Sequence, residues 1–286
     1  MIRLQDLVNL THHPVRLRRR GRALRPVKPS KSIELWYKAE LIKLVKEIAH
    51  QTESAIMPKL RADEHLWVRA KGTDTILVAD GIWEDIGDVF TRLAAKFGGI
   101  DDTAKRLASL AVLKSSQKVD ASIASAVKNS LKIDIVGLLT KSVFGPVVER
   151  STIVNVDLIK SIPEQFLKRV KQAVFDTVTR GERQETLVPK LREISVLTEN
   201  RAKLIARDQV SKMNAALNEA RQVSLGIDGY IWSTANDERV REDHAAHEGK
   251  FFRWDEPPDD TGHPGEDIQC RCVAIPYFKI DSDKAE

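Results

Sequence analysis

Apolar residues recur every three or four positions through most of residues 32–226, and this spacing constrains the fold more than any other feature. Such a period places the apolar side chains on one face of an α-helix, whereas a half-buried strand would alternate at every second residue. The first stripe consists of Ile33, Trp36, Tyr37, Leu41, Leu44, Val45, Ile48 and Ile56. The sequence therefore predicts a mainly α fold whose core is built from such stripes.

Glycines, prolines and capping residues divide the pattern into separate predicted helices. Pro58 interrupts the first helix near its end, and Gly98-Gly99 stops the next one. Asp101 or Asp102 can cap a third helix, and the small residues at 119–130 indicate a further one.

Later signals predict the remaining helices. Ser161-Ile162-Pro163-Glu164 has the spacing of a capping box, and Gly181 can end the helix that it opens. Residues 187–194 form a short predicted helix, and Thr198 can cap a long one that Gly226 ends. The apolar stripes on these helices are typical of a protein core and of contacts between helices.

The chain divides into four predicted parts. The interval 131–150 is locally apolar but is broken by Gly137 and by Gly145-Pro146, which indicates a junction between two helical regions. The parts are a basic extended arm (1–31), an N-terminal helical region (32–135), a central helical region (136–228) and a small C-terminal α+β unit with two or more short strands (229–286).

The net charge of +5 is concentrated in the arm. No acid occurs between Asp6 and Glu34, and subtracting the eight basic residues of this interval from +5 leaves −3 for the rest of the chain. These residues are Arg16, Arg18, Arg19, Arg20, Arg22, Arg25, Lys28 and Lys31. Uncompensated charge together with three prolines predicts that the arm is disordered in the free protein and becomes ordered against a partner.

The arginines of the arm are candidates for contact with a polyanion, either DNA phosphates or an acidic protein surface. The candidate residues are Arg16, Arg18, Arg19, Arg20, Arg22 and Arg25. The alternative is a solvated arm that merely lies along its neighbours. The arm contains no aromatic residues on which bases could stack, so any DNA contact would be with the backbone.

Composition argues against a membrane-spanning or secreted protein. No apolar run reaches about 18 residues, so we expect no membrane span. The N-terminus has no apolar segment before its arginines, which argues against a secretory signal. Cys270 and Cys272 are one residue apart and could pair only in a strained ring, so we predict reduced thiols in a cytoplasmic setting.

The C-terminal segment concentrates most of the chemistry of the chain. Residues 230–234 and 273–278 are rich in aromatic and β-branched residues and predict two strands. Three of the seven histidines and both cysteines lie between these strands, where a structural Zn²⁺ could staple the loops. The ligands that we predict are His244, His263, Cys270 and Cys272.

Two choices at this cluster remain open from the sequence. His263 is preferred to His247 as the fourth ligand because its glycine and proline neighbours would hold it in a fixed loop near the cysteines. The alternative to a metal is that Arg271, between two small buried cysteines, pairs with Glu266 or Asp237.

Several short motifs occur here in an order that resembles a known family. They are Ile205-Ala206-Arg207-Asp208-Gln209, Tyr230-Ile231-Trp232, Asp237 with Arg239, Arg241, His244 and Gly249, and finally Pro264-Gly265-Glu266 with Cys270-Arg271-Cys272. Over about residues 150–278 this order resembles the phage head morphogenesis family, of the Mu F-protein type of minor head protein. The polar run at 207–209 is either a satisfied polar group at a helix interface or a support for the C-terminal segment.

The resemblance implies a structural minor capsid protein without enzymatic activity. Such a protein would lie in the head of a tailed bacteriophage near the portal vertex, after a stage in the host cytoplasm during assembly. Its expected partners are the portal protein, the major capsid protein and the packaged DNA. Its expected roles are head morphogenesis and a part in genome packaging or DNA ejection.

Two other functions also fit the residues. A metal-dependent nuclease would need an open coordination position and a general base near the metal. However, the sequence H-A-A-H-E at 244–248 lacks the H-E-x-x-H order, and two thiolates favour a closed structural site. The other function is a DNA-binding module that works through the basic arm.

Overall fold

The computed structural model of the chain describes residues 4–10, 21–67, 82–139 and 145–278. The described residues are mostly helical, with one small antiparallel sheet, so the predicted mainly α fold is confirmed. The helices in these residues are α1 (Leu4–Leu10), α2 (Lys31–Asp63), α3 (Ile82–Gly98), α4 (Asp101–Leu131), α5 (Gly145–Thr179), α6 (Leu187–Ser224) and α7 (Glu242–Ala246). None of the described helices is both long enough and apolar enough to span a membrane.

Helix α2 continues through Pro58, so the predicted interruption at this residue does not occur. Proline removes one backbone donor and leaves the carbonyl of Ser54 without its helical partner. Both residues are exposed, so water can bond that carbonyl. Leu60, which is 2% exposed, then extends the buried stripe beyond the proline.

Three predicted helix starts lie inside longer helices. Residues 119–130 continue α4, Ser161 lies within α5, and Thr198 lies within α6. The Ser161 hydroxyl donates to the Leu158 carbonyl at 2.7 Å, and the Thr198 hydroxyl donates to the Ile194 carbonyl at 2.8 Å. These hydroxyls therefore bond to the preceding helical turn instead of capping a new helix.

The helix ends predicted at glycines are correct, whereas the short helix predicted at 187–194 does not end there but continues as α6. The α3 stripe stops at Gly98, and the chain leaves α5 and α6 through Gly181 and Gly226, which have φ values of 63° and 73°. The Gly181 N–H donates to the Val178 carbonyl at 3.0 Å, which satisfies a terminal carbonyl of α5.

The chain forms two compact units. One unit contains residues 1–34, 109–153 and 207–286, and the other contains residues 35–108 and 154–206. Each unit combines segments that are far apart in sequence. The four boundaries drawn from sequence follow composition along the chain, and they stay a prediction.

The unit of residues 35–108 and 154–206 is held by long-range polar contacts as well as by its apolar stripes. The buried Tyr37 hydroxyl donates to Asn155 Oδ1 at 2.9 Å. Trp67, which is 1% exposed, donates its indole N–H to the Glu182 carbonyl at 3.0 Å. These contacts fix α2 and the turn that follows it against α5 and its C-terminal turn.

The other unit contains the sheet. Its strands are β1 (Arg22–Ala23), β2 (Gly229–Ser233), β3 (Phe251–Arg253) and β4 (Val273–Phe278), in the order β1-β4-β2-β3 with antiparallel pairs. The predicted strands near 230–234 and 273–278 are confirmed as β2 and β4, with Tyr230 opposite Pro276. Strands β1 and β3 have two and three residues, too few for an alternating pattern to be recognised.

The prediction of a disordered arm is wrong for residues 4–10 and 21–30. Residues 4–10 form α1, where Leu4 is 0% exposed and donates its N–H to the Leu225 carbonyl at 3.0 Å. Leu24 and Val27 are 5% and 1% exposed, so apolar burial fixes the segment of residues 21–30. The Leu24 N–H donates to the Pro276 carbonyl at 2.8 Å, and Asn214 Nδ2 donates to the Val27 carbonyl at 3.0 Å. The extended segment therefore forms part of the same unit as the sheet.

Two of the six candidate polyanion-binding arginines can be placed. Arg22 and Arg25 are exposed, and Arg22 Nη1 donates to the Ser130 carbonyl at 3.0 Å. This bond satisfies a carbonyl in the last turn of α4, as basic side chains often do at helix C-termini. The other four, Arg16, Arg18, Arg19 and Arg20, lie outside the described residues.

Candidate metal centre

Strands β2 and β4 carry the hydrophobic cluster on which the site is built. The buried residues of this cluster are Tyr230, Trp232, Cys270, Cys272 and Ala274, with Phe252 and Trp254 packed against them. Alternation along β2 turns Tyr230 and Trp232 to the same face, and both side chains are 0% exposed. The two cysteines therefore lie in an apolar environment formed mainly by aromatic rings.

The short helix α7 brings His244 to the cysteines. His244 is 2% exposed, and its ring lies edge-on to Trp232 with 5.5 Å between ring centroids. Its Nδ1 is 3.4 Å from Cys272 Sγ and 3.6 Å from Cys270 Sγ. One donor atom from each of these three residues lies within 4.8 Å of the others, so three of the four predicted ligands converge.

The second ring nitrogen of His244 is held by a carboxylate. Nε2 is 2.9 Å from Asp267 Oδ2, and because a carboxylate accepts, Nε2 carries the proton. Arg241 donates to the same oxygen at 3.1 Å and to the Ile268 carbonyl at 2.8 Å. This arrangement leaves the lone pair of Nδ1 directed at the two sulfurs.

The two thiols share a proton unequally. A hydrogen bond from the Cys272 thiol, with the Cys272 backbone N–H 3.4 Å away, lowers the pKa of the Cys270 thiol to about 6. The same bond to Cys270, together with burial, raises the pKa of the Cys272 thiol. Of the two thiols, Cys270 is therefore the one whose deprotonation the contact favours.

The structure does not bring His263, the predicted fourth ligand, to the cluster. His263 Nδ1 is hydrogen bonded to the Tyr230 hydroxyl at 2.9 Å, and its ring packs against Trp254 at 4.9 Å. His247 is engaged elsewhere as well, since its Nε2 lies 2.9 Å from Asp260 Oδ1. Neither ring belongs to the group of converging donors found among the described residues.

A cavity of about 150 Å³ opens beside the three donors. His244, Cys270 and Cys272 form part of its lining. Four arginines of the sequence motif and its surroundings also line it, namely Arg207, Arg239, Arg241 and Arg271. The cavity can hold several water molecules, and its cationic rim favours negative charge at the cluster.

Arg271 pairs with Asp237, one of the two partners that the metal-free interpretation predicted. Both guanidinium Nη atoms donate to the Asp237 carboxylate, and this contact lowers the pKa of Asp237. Asp237 Oδ1 also accepts the Arg239 N–H at 3.1 Å. The pair fixes the turn before α7, and it coexists with the three converging donors instead of replacing them.

The Pro-Gly-Glu motif shapes the loop that precedes the cysteines. Gly265 has a φ of 97°, and a Cβ at this position would come within 2.6 Å of the Ala215 Cβ on α6. Both the left-handed backbone and the close approach therefore require glycine. Glu266 Oε2 accepts the His263 N–H at 2.9 Å, which closes the loop on itself. Gly249, also in the motif, donates its N–H to the Trp232 carbonyl at 2.9 Å.

The polar run on α6 holds the backbone next to the cysteines. Asp208 is 9% exposed, and its Oδ1 accepts the Gln269 N–H at 2.6 Å. Gln209 is 6% exposed, and its Nε2 donates to Asp208 Oδ2 at 3.1 Å. The contact favours the interpretation that this run supports the C-terminal segment.

Further along α6 a row of polar side chains was missed by the sequence reasoning. Its members follow three- and four-residue steps: Asp208, Ser211, Asn214, Asn218 and Gln222. The Ser211 hydroxyl donates to the Cys270 carbonyl at 2.9 Å, and Asn218 Nδ2 donates to the Ala274 carbonyl at 3.1 Å. The helical spacing of this row is visible in the sequence. Because its residues are polar, the pattern indicates a solvated face and not a buried one.

Replacing Asp208 with alanine is expected to lower the free energy of unfolding by about 1–3 kcal/mol, because the Gln269 N–H loses its acceptor. The matched control is Lys212→Ala, which removes the ion pair to the same carboxylate at 3.2 Å and should cost less than about 1 kcal/mol. Urea unfolding followed by circular dichroism measures both values. Equal losses in the two variants would contradict a specific role for the Asp208–Gln269 bond.

The fold and the site together define a mainly α protein with a small antiparallel sheet that carries a buried cluster of one histidine and two cysteines. Residues 168–275 match the family described as phage Mu protein F like protein. This match confirms, for that part of the chain, the resemblance drawn from the motifs.

A bacterial relative extends the similarity beyond the family region. The chain is 36% identical over 275 residues to an uncharacterized protein of Haemophilus influenzae strain Rd. The alignment covers 95% of this chain and 59% of the relative, so the chain spans about three fifths of the length of the curated relative that it matches. No solved structure matches the chain.

Proposed function

We propose that the chain is a structural minor head protein of a tailed phage that acts in head morphogenesis near the portal vertex. The observation that carries this proposal is the family match over residues 168–275. In this function the chain is a non-enzymatic component of the virion head, assembled in the host cytoplasm with the portal and major capsid proteins. It takes part in genome packaging or ejection.

The contacts of the motif residues support a structural function. Asp208 holds a backbone N–H, Gly265 permits close packing on α6, and Asp237 pairs with Arg271. These contacts link one segment of the unit to another. A motif whose residues stabilise their own fold fits a virion component that presents a rigid surface to its neighbours.

The nuclease alternative is less well supported by the geometry. Glu248, the candidate general base, accepts the Thr234 N–H at 2.5 Å and so fixes the turn after β2. His247 lies against Trp232 and bonds to Asp260. Neither side chain is directed at the three converging donors as a base for metal-bound water would be.

Localisation in the intact particle tests the proposal. An asymmetric reconstruction of virions from the phage that encodes this chain should show its density, in few copies, at the portal vertex. A deletion of the gene, complemented in trans as the control, should yield defective heads. Density spread over the whole capsid, or normal infectious heads without the protein, would overturn the proposal.

Contact with packaged DNA would come from the arginines of the arm that precede β1 in sequence. Replacing Arg16, Arg18, Arg19 and Arg20 with alanine should reduce the salt slope of DNA binding by about 3–4, because each phosphate contact contributes about 0.9. Residues 21–30 are left intact because Leu24 and Val27 are part of the core.

The control for this measurement changes the net charge by the same amount elsewhere. It carries alanine at four exposed helical arginines, Arg92, Arg106, Arg169 and Arg192. Fluorescence anisotropy with a DNA duplex at several salt concentrations gives both slopes. If the control lowers the slope as much as the arm variant does, the contact depends on net charge and not on the arm.

A further inference from the structure

We propose that His244 Nδ1, Cys270 Sγ and Cys272 Sγ hold one Zn²⁺, whose fourth coordination position faces the arginine-lined cavity and is filled by water. The inference concerns the isolated protein and does not rest on its function in the phage head. It keeps three of the ligands predicted from sequence and excludes His263.

The distances between the donor atoms fit a zinc site. Zn–S bonds of about 2.3 Å and Zn–N bonds of about 2.0–2.1 Å at a tetrahedral angle place nitrogen and sulfur about 3.5–3.6 Å apart. The two separations from His244 Nδ1 are 3.4 Å to Cys272 Sγ and 3.6 Å to Cys270 Sγ. The two nitrogen–sulfur separations are therefore those that a tetrahedral zinc ion requires.

The surroundings of His244 are those of a metal ligand. Its other nitrogen, Nε2, donates to Asp267 Oδ2 at 2.9 Å, and Arg241 holds that carboxylate in place at 3.1 Å. A carboxylate behind the imidazole fixes its orientation and makes the metal-binding nitrogen more basic. The histidine is 2% exposed, so its ring position is also fixed by packing.

The donor set selects the metal. Two thiolates and an imidazole are soft or borderline ligands that suit Zn²⁺, whereas Mg²⁺ and Ca²⁺ require oxygen ligands. Both cysteines are 5% exposed and unpaired as disulfides. Binding Zn²⁺ would release the protons of both thiols, because the thiolate is the form that binds a metal.

The fourth position is open to the cavity. His263 is bonded to Tyr230 and His247 to Asp260, so neither histidine completes the site. The cavity of about 150 Å³ provides room for a water molecule, and Arg207 and Arg239 on its lining attract anions. The site therefore differs from a four-ligand structural site in that small anions can exchange with its water.

The consequence for the fold is that one ion would connect two segments, α7 through His244 and the end of the following long loop through both cysteines. The 19 residues from Trp254 to Cys272 contain no helix or strand. Both cysteines lie at the very end of this segment. Coordination would fix the end of this long loop, directly before β4, to α7. Loops without a core of their own are commonly stabilised in this way.

The alternative is a metal-free cluster in which the thiols and the imidazole are hydrogen bonded to each other. Zinc analysis of the full chain, expressed in zinc-supplemented medium and purified without a chelator, distinguishes the two states. We expect about one equivalent of zinc. After chelation, two thiols should become reactive towards a disulfide reagent, and one equivalent of Zn²⁺ should protect them again.

Cobalt substitution tests the ligands in the wild-type protein and needs no variant that might fail to fold. Co²⁺ should give sulfur-to-metal charge-transfer bands and the d–d bands of a tetrahedral ion, saturating at about one equivalent. The d–d bands should shift when azide or imidazole is added, because the fourth position is open. Absence of these bands, with zinc below about 0.2 equivalents, would overturn the proposal.

Variants identify the ligands. Cys270→Ser should lose the charge-transfer intensity of one thiolate, and Asp267→Asn should weaken zinc binding about 10–100-fold. The matched control is His263→Gln, which replaces the ligand predicted from sequence alone and should bind one equivalent with unchanged affinity. Loss of zinc in His263→Gln, with the fold retained by circular dichroism, would show that the proposed ligand set is wrong.

Discussion

Replacing Arg221 with methionine is expected to lower the free energy of unfolding by about 3–5 kcal/mol. The Arg221 side chain on α6 is 1% exposed, and its Nη2 lies 2.7 Å from Asp120 Oδ1 on α4. Its Nε donates to the same oxygen at 2.9 Å. Methionine preserves most of the volume but leaves the Asp120 carboxylate, which is 29% exposed, without this opposite charge.

The loss is expected to become smaller as the pH falls. Burial raises the pKa of Asp120 above its ordinary value even beside Arg221, and removal of the arginine raises it further. A carboxyl whose pKa is higher in the folded than in the unfolded state destabilises the fold when it is ionised, and this effect disappears on protonation. The difference in unfolding free energy between wild type and variant should therefore shrink as the pH falls through the pKa of Asp120 in the folded variant.

The control is the double variant Asp120→Asn with Arg221→Met. It removes both charges and should recover most of the stability that the single variant loses, because the unpaired carboxylate is gone. Urea unfolding at pH 7 and at an acidic pH gives the required values. A loss of less than about 1 kcal/mol in the single variant at pH 7 would contradict the importance of this ion pair.

The sequence predicted the apolar faces of the helices and the ends marked by glycines, but not several of their starts or the continuity of α6 through residues 194–198. Apolar spacing identified the core of α2 and α3, and glycines marked the ends of α5 and α6. Ser161 and Thr198 looked like caps because their hydroxyls suit that role. In the folded chain both hydroxyls bond to carbonyls of the preceding turn, and neighbouring sequence cannot distinguish the two uses.

The buried polar face of α6 was not predicted from the sequence, for a different reason. Sequence patterns identify a buried helix face by its apolar residues, and α6 has such a face around Met213 and Leu217. The helix buries a second face that is polar, because Ser211 and Asn218 bond to backbone carbonyls of the loop and of β4. Polar residues at helical spacing ordinarily indicate a solvated surface, so this face became apparent only from the structure.

The candidate site was predictable to the extent that it depends on rare residue types. Two cysteines and a nearby histidine are few enough for the sequence alone to suggest that they converge, and His244, Cys270 and Cys272 do so. His263 was preferred because Gly262 and Pro264 would hold it in a fixed loop near the cysteines. Its ring turns towards Tyr230, a contact with β2 that only the fold determines.

Replacing Trp232 with alanine is the second substitution for which we expect a loss of about 3–5 kcal/mol. The side chain is 0% exposed, and its ring lies 5.5 Å from that of His244, 5.1 Å from that of His247 and 6.0 Å from that of Phe252. Alanine would leave a cavity directly behind the cluster, and the surrounding rings are held by α7 with its C-terminal residue and by β3. The loss should therefore exceed that for a side chain whose neighbours can collapse into the space.

Two further variants separate packing from a general effect of removing tryptophan. Trp232→Phe retains most of the ring contacts and should lose much less stability than the alanine variant. Trp83→Ala removes a tryptophan that is 38% exposed and stacks only at a tilt on Phe175, so its cost should stay below about 1.5 kcal/mol. Denaturant unfolding of all three proteins gives the order of stability. If Trp83→Ala lowers the free energy of unfolding as much as Trp232→Ala does, the packing of Trp232 against the rings around His244 has no special importance for stability.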